Sequence, residues 1–126
     1  IKKEYKFKKD WSDFMKECDL KSLLRNFQSI QIQVQYLKEN NKETEKYKEK
    51  IFIYNLLCSA LDVLDEKERF IIETHIIKHY TWTETLDKWS LSFGLSYIRS
   101  DRTLKRMQNQ ALQKMIIFIE SVSNAE

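Results

Sequence analysis

The chain has 126 residues, no proline, one glycine and a formal net charge of +3. That length bounds it to one domain, or to one small domain with a helical appendage. All-β folds and loop-rich enzymes need Gly and Pro at their turns, so the composition excludes them and favours long helices.

Hydrophobic residues make up 42% of the chain, enough for a core, and charged residues make up 33%, which suits solvated helix faces. The small positive charge permits nucleic-acid binding without requiring it, because distribution matters more than the sum. Cys18 and Cys58 fall in helical apolar patterns with no metal-ligand or disulfide spacing, which points to a reduced compartment. No apolar run reaches membrane-span length, and no secretory leader is read from Ile1 onward.

Residues 1–9, IKKEYKFKK, read as a solvated basic terminus or as an arm that touches phosphates. Asp10 and Asp13 open a helical pattern as a capping pair. Its apolar positions include Phe14, Met15, Cys18, Leu20, Leu23, Leu24, Phe27, Ile30, Val34 and Leu37, mostly three or four apart, with a break expected near Asp19. The outer face from Gln28 to Gln35 is uncharged, suited either to solvent or to a partner. Residues 39–42, ENNK, end this helix. A second runs from about Glu43 to Leu64 with Tyr47, Ile51, Tyr54, Leu57, Cys58, Leu61 and Leu64 on one face. A short loop between two amphipathic helices predicts an antiparallel pair.

Asp65 with Glu68, and Thr81 with Glu84, are two capping boxes. The first opens a helix carrying Phe70, Ile71, Ile72, Ile76, Ile77 and Tyr80. The second opens a short helix with Leu86 and Trp89 inward. A turn is expected over Ser90–Leu95, around Gly94. The last helix runs from Ser96 or Ser100 to about Ser121. Its segment Met115–Ile119 is apolar all round and calls for burial, within the domain or against a second copy.

This last helix has the two faces a DNA-reading helix needs. Leu104, Met107, Ala111, Leu112 and Met115 form an apolar stripe; Arg99, Arg102, Thr103 and Arg106 lie away from it. Arginine bridges phosphates and pairs with guanine edges, and the helix start at Ser100 favours anions. A basic face on an ordinary bundle helix is the plainer alternative. The acidic residues Asp62, Asp65, Glu66, Glu68 and Glu73 crowd the preceding helix, which would face away from DNA.

Residues 64–115 resemble region 4 of sigma-70-type factors. They are more closely similar to phage late-gene transcriptional activators of the RinA and ArpU type. Lys67-Glu-Arg-Phe-Ile71, Trp82-Thr-Glu84, Ser100-Asp-Arg-Thr103, Arg106 and Ala111-Leu112 carry the likeness. The resemblance implies that Ser100 caps a recognition helix and that Arg102, Thr103, Lys105 and Arg106 face DNA. The family is several residues shorter between the Trp-Thr-Glu position and the capping serine. Two registers follow. Either Leu91–Tyr97 extends the second helix and Ser100 closes the turn, or Ser92 or Ser96 closes it and the recognition helix lengthens. Ser96, Tyr97 and Arg99 are therefore candidate contacts as well.

The expected architecture is all-α: an N-terminal helical hairpin over residues 1–60 for dimerisation or partner binding, then a sigma region 4-like helix-turn-helix domain over 61–126. The expected role is a DNA-binding transcription regulator in the bacterial cytoplasm at the nucleoid. Its partners would be double-stranded DNA, RNA polymerase as implied by the resemblance, and a second copy of the chain. The alternative is a helical adaptor that modulates a transcription factor or polymerase without touching DNA. No catalytic residue, metal, cofactor, small-molecule substrate or membrane is expected. His75 and His79, four apart, would share a helix face, but no third ligand lies at useful spacing. Trp11, Trp82 and Trp89 read as core anchors rather than stacking platforms.

Overall fold

The computed structural model describes residues 16–40, 44–94 and 101–124, and every regular element among them is a helix. These are α1 (Glu17–Arg25), α2 (Phe27–Glu39), α3 (Glu45–Asp62), α4 (Glu66–Ile71), a π-helical segment (Ile72–Ile77), α5 (Trp82–Phe93) and α6 (Asp101–Asn124). The expected Asp10–Asp13 cap and the anchor Trp11 lie outside the described residues.

Lys16 is extended and α1 starts at Glu17, close to the break read near Asp19, and a further break that the sequence reading did not anticipate falls at Asn26. Asp19 sits inside the first turn of α1, where its carboxylate accepts from the Lys16 N–H at 3.2 Å. At Asn26 the side-chain amide donates back to the Ser22 carbonyl at 3.0 Å, competing with the helical ladder. Leu20 and Leu24, one turn apart, are fully buried, whereas Cys18 is exposed and not part of the apolar face.

α2 and α3 run antiparallel, because Phe27 stacks on Tyr54 (5.5 Å) and Gln33 accepts from Lys50 (2.7 Å). Thr44 caps α3, its hydroxyl accepting from the Tyr47 N–H at 3.2 Å. α3 buries Leu57 and Leu61 as its spacing predicts, and Leu56 and Ala60 besides. Tyr47, Ile51, Tyr54 and Cys58 are only partly covered.

Both downstream capping boxes form. Asp65 accepts from the Glu68 N–H (2.8 Å) while Glu68 accepts from the Asp65 N–H (3.1 Å). Thr81 and Glu84 exchange the same pair at 3.1 and 2.9 Å. The Thr81 N–H, and after it the Thr81 side chain, hold the Glu84 carboxyl below its ordinary pKa.

The helix begun at Glu66 does not stay α. From Ile72 it widens to a π-helix, closed by the Lys78 N–H donating to the Glu73 carbonyl five residues back. This overturns the expectation that His75 and His79 share a face. His75 lies in the π segment, whereas His79 lies beyond it with a left-handed φ of 64°. α5 continues through Phe93, so the turn expected over Ser90–Leu95 begins only at Gly94, whose φ is 84°.

One core joins both halves of the chain. Leu20 and Leu24 of α1 and Leu56, Leu57, Ala60 and Leu61 of α3 pack with Ile72, Ile76, Ala111, Leu112, Met115 and Ile119. It crosses the boundary expected near residue 60. A smaller cluster of Ile71, Trp89 and Leu104, edged by Phe70, Leu86, Phe93 and Met107, ties α4, α5 and α6 together. Phe70 meets Trp89 and Phe93 edge-on at 5.9 and 5.3 Å, a favoured aromatic arrangement. In Met115–Ile119, Met115, Ile116 and Ile119 are buried, but Ile117 is 64% exposed.

Candidate nucleic-acid interface

α6 is fixed from one side. Leu104, Gln108, Ala111, Met115 and Ile119 recur every three or four residues, and they and Leu112 beside Ala111 are all buried. Glu68 adds a tether from α4: it is 5% exposed and accepts from Lys114 at 2.8 Å. Glu68 therefore does not belong to a solvent-facing acidic cluster. Of the other acidic residues, Asp62 and Glu73 hold Arg69 at 2.8 and 2.7 Å.

With that stripe inward, Arg102 and Arg106 lie exposed on the opposite side of α6, one turn apart. Among the described residues neither has a carboxylate within salt-bridge distance. Lys105 is also exposed but is turned to the flank. Its Nζ lies 3.5 Å from Asp101 and 5.8 Å from the centre of the Trp82 ring. Thr103 is partly buried on the other flank. Ser96, Tyr97, Arg99 and Ser100 lie outside the described residues. Leu91–Phe93 belong to α5, so Ser92 does not close the turn, and the described part of α6 starts at Asp101; Ser96 and Ser100, between which the registers otherwise divide, lie outside the described residues.

Beside Lys105 there is a cavity of about 340 Å³ that the sequence did not reveal. α1 contributes Lys21 and Arg25, the π segment His75 and Ile76, α5 Trp82, and α6 Lys105, Gln108 and Asn109. Among these lining residues there is no carboxylate. Lys21 is 3.5 Å from Glu17, one turn back on its own helix, and Glu17 also accepts from Gln113 at 3.4 Å.

Tertiary contacts set the walls. His75 stacks on Trp82 with ring centres 3.7 Å apart, and its Nδ1 hydrogen-bonds the Tyr80 carbonyl at 2.7 Å. The carbonyl bond makes Nδ1 the protonated nitrogen of the neutral ring. Burial lowers the His75 pKa; the Tyr80 bond opposes this, and Arg25, Lys21 and Lys105 lower it further. His79 Nε2 meets the Arg25 carbonyl at 3.0 Å, which seats the end of α1 against the chain's turn after the π segment. Trp82 is thus half-buried, packed against the smaller cluster and stacked with His75, whereas Trp89 is buried.

Gln108 carried the one available signal. It is a polar residue on the buried stripe of α6, only 5% exposed, and its Oε1 has no hydrogen-bond partner. Lys21 and Arg25 gave no such sign, because their nearness to α6 depends on how α1 packs.

Among the described residues no three His, Cys, Asp or Glu side chains gather as metal ligands, and no helix is long and apolar enough to cross a membrane. No family model, curated protein or solved structure matches the chain.

Proposed function

We propose that the protein is a sequence-specific DNA-binding transcription regulator whose recognition helix is α6. The observation carrying this is the pair Arg102 and Arg106: exposed, unpaired by carboxylates among the described residues, and one turn apart on the outward face of a helix anchored by its buried stripe. Guanidinium groups so placed match phosphate oxygens and the acceptor edges of guanine. The small α4–α5–α6 cluster supports a helix-turn-helix arrangement, with α5 as the helix that packs and α6 as the one that reads. The likeness of residues 64–115 to RinA- and ArpU-type activators supports phage late-gene activation, at a bacterial promoter and in contact with RNA polymerase. The α2–α3 pair would then serve as the dimerising arm.

The test is binding to phage and genomic fragments at two salt concentrations. Phosphate contacts make affinity fall steeply as salt rises. Arg102→Ala with Arg106→Ala is expected to lower affinity for the preferred fragment by about tenfold or more. The melting temperature should barely move, since both side chains are on the surface. Parental binding by the double variant would remove α6 as the reading element.

A second reading, a helical adaptor that binds protein instead of DNA, has its own observation. Ile32 and Tyr36 are 69% and 59% exposed and line an apolar cavity of about 490 Å³ with Leu37, Thr44 and Lys50. Exposed apolar patches of this kind mark association surfaces. Absence of salt-sensitive DNA binding by the parent, with retained binding to polymerase, would favour it.

A further inference from the structure

We infer that the cavity between α1, the π segment, α5 and α6 is a phosphate site, and that in the DNA complex it holds a backbone phosphate beside the groove entered by α6. This rests on the DNA-binding reading for the source of the phosphate, but not for the chemistry of the site. It brings the N-terminal helix α1 into the interface, where the sequence had assigned residues 1–60 to dimerisation or partner binding.

Three cations from two distant parts of the chain, Lys21, Arg25 and Lys105, line one cavity with no carboxylate among its described lining residues. Their compensating carboxylates, Glu17 and Asp101, each lie at 3.5 Å on the cation's own helix, the loose geometry of solvent-exposed pairs. Arg25 has no carboxylate within salt-bridge distance among the described residues. Like charges converging on a partly buried histidine disfavour its protonation, and an anion in the cavity reverses that field.

The hydrogen-bonding groups suit an acceptor-rich ligand. Asn109 and Gln108 bring side-chain amides to the wall. Gln108 is 5% exposed and its Oε1 has no hydrogen-bond partner, so its amide is not committed to another group through that oxygen. The location fits too. A helix lying in the major groove has sugar–phosphate backbone along its flanks, and phosphate contacts fix its register there. Lys105 and Asn109 are on the flank of α6, next to the outward Arg102–Arg106 face, so the cavity lies where a flanking phosphate would pass.

The experiment has two arms on the full chain. In the first, inorganic phosphate is titrated while the His75 ring is followed by NMR. Phosphate is expected to shift the His75 resonances and raise its titration midpoint, and Lys21→Gln with Arg25→Gln should abolish both effects at unchanged melting temperature. In the second, the same double variant is tested on duplex DNA. Affinity should fall about tenfold for specific and unrelated duplexes alike, with a shallower salt dependence. Arg102→Ala with Arg106→Ala should instead erase the preference between duplexes.

If phosphate moves His75 in the parent only, but the parent binds no DNA, the site stands with a free phosphate compound as its ligand and the DNA reading falls. If the double variant matches the parent on DNA and phosphate either leaves His75 unmoved or moves it equally in both proteins, the phosphate site is overturned.

Discussion

Glu68 does two things with one carboxylate. It completes the cap of α4 at the Asp65 N–H and, from a buried position, accepts from Lys114, which ties α6 to α4. The Lys114 ammonium is held above its ordinary pKa by that bond. Removing the acceptor strands the capping donor, so Glu68→Ala is expected to cost about 1–3 kcal/mol in chemical denaturation. Glu68→Gln, which keeps an oxygen for the cap, should cost less; equal losses would mean that the cap contributes little. The cap half of this was legible, because its partners are three residues apart. The Lys114 half was not, because no local spacing connects residues 46 apart.

His75 gives a pH signature. Its folded-state pKa lies below the ordinary 6.5, chiefly through burial. As pH falls through 6.5, unfolded chains take up this proton before folded ones, so the folded state loses stability. The ring should titrate below 6.5 by NMR, and stability should decline between neutrality and the folded-state midpoint. A midpoint above 6.5 would contradict the packing of His75 among Trp82 and the three cations.

Helix beginnings were the most readable elements. Asp65 and Thr81 both cap as their sequence contexts indicate, because a cap needs only a few consecutive residues, whereas Thr44 caps α3 just after the start read at Glu43. Helix ends and irregularities were harder. Asn26 broke the helical pattern a second time without being anticipated, although Asn, like Asp, favours caps and turns. The end of α5 was placed too early because Ser90, Leu91 and Ser92 carry weak turn signals. Ser90 instead donates to the Leu86 carbonyl and stays helical. Gly94, at φ 84° and ψ 170°, is the actual end. That backbone region is essentially glycine's own, and space is not the obstacle, since nothing lies within 4 Å of a Cβ placed there. Gly94→Ala should therefore destabilise by about 1–3 kcal/mol through strain alone. A melting curve unchanged by this substitution would mean that the turn relaxes freely.

The molecule's halves share a core, and this sets how it can be divided. Leu20, Leu24, Leu56 and Leu57 fill space against α6 and the π segment. A fragment of residues 61–126 would expose that apolar surface, and losing even one such leucine to alanine costs about 2–5 kcal/mol. The fragment is expected to lack a cooperative melting transition, whereas the full chain should unfold in one. A fragment that melts cooperatively near the parent's temperature would show an independent C-terminal unit. The all-helical character was legible from the absence of proline and from apolar spacing. The convergence of α1 on α6 was not, since helical periodicity says which face is buried but not against which neighbour. The candidate surface divides the same way: Arg102 and Arg106 could be read from one helix, and Lys21 and Arg25 only from the assembled fold.

The π segment also governs phase along the chain. A π turn accommodates one residue more than the α turn it replaces, so the positions after it are offset by a single residue's rotation, about 100°. A substitution at an exposed position such as Lys78 leaves that offset alone. Closing this segment into regular α form with every residue kept would turn everything beyond it by that amount. The His75–Trp82 stack, the His79 hold on Arg25 and the approach of α1 to α6 would then go out of register together. The wider turn, more than any single side chain, is what this stretch has to keep.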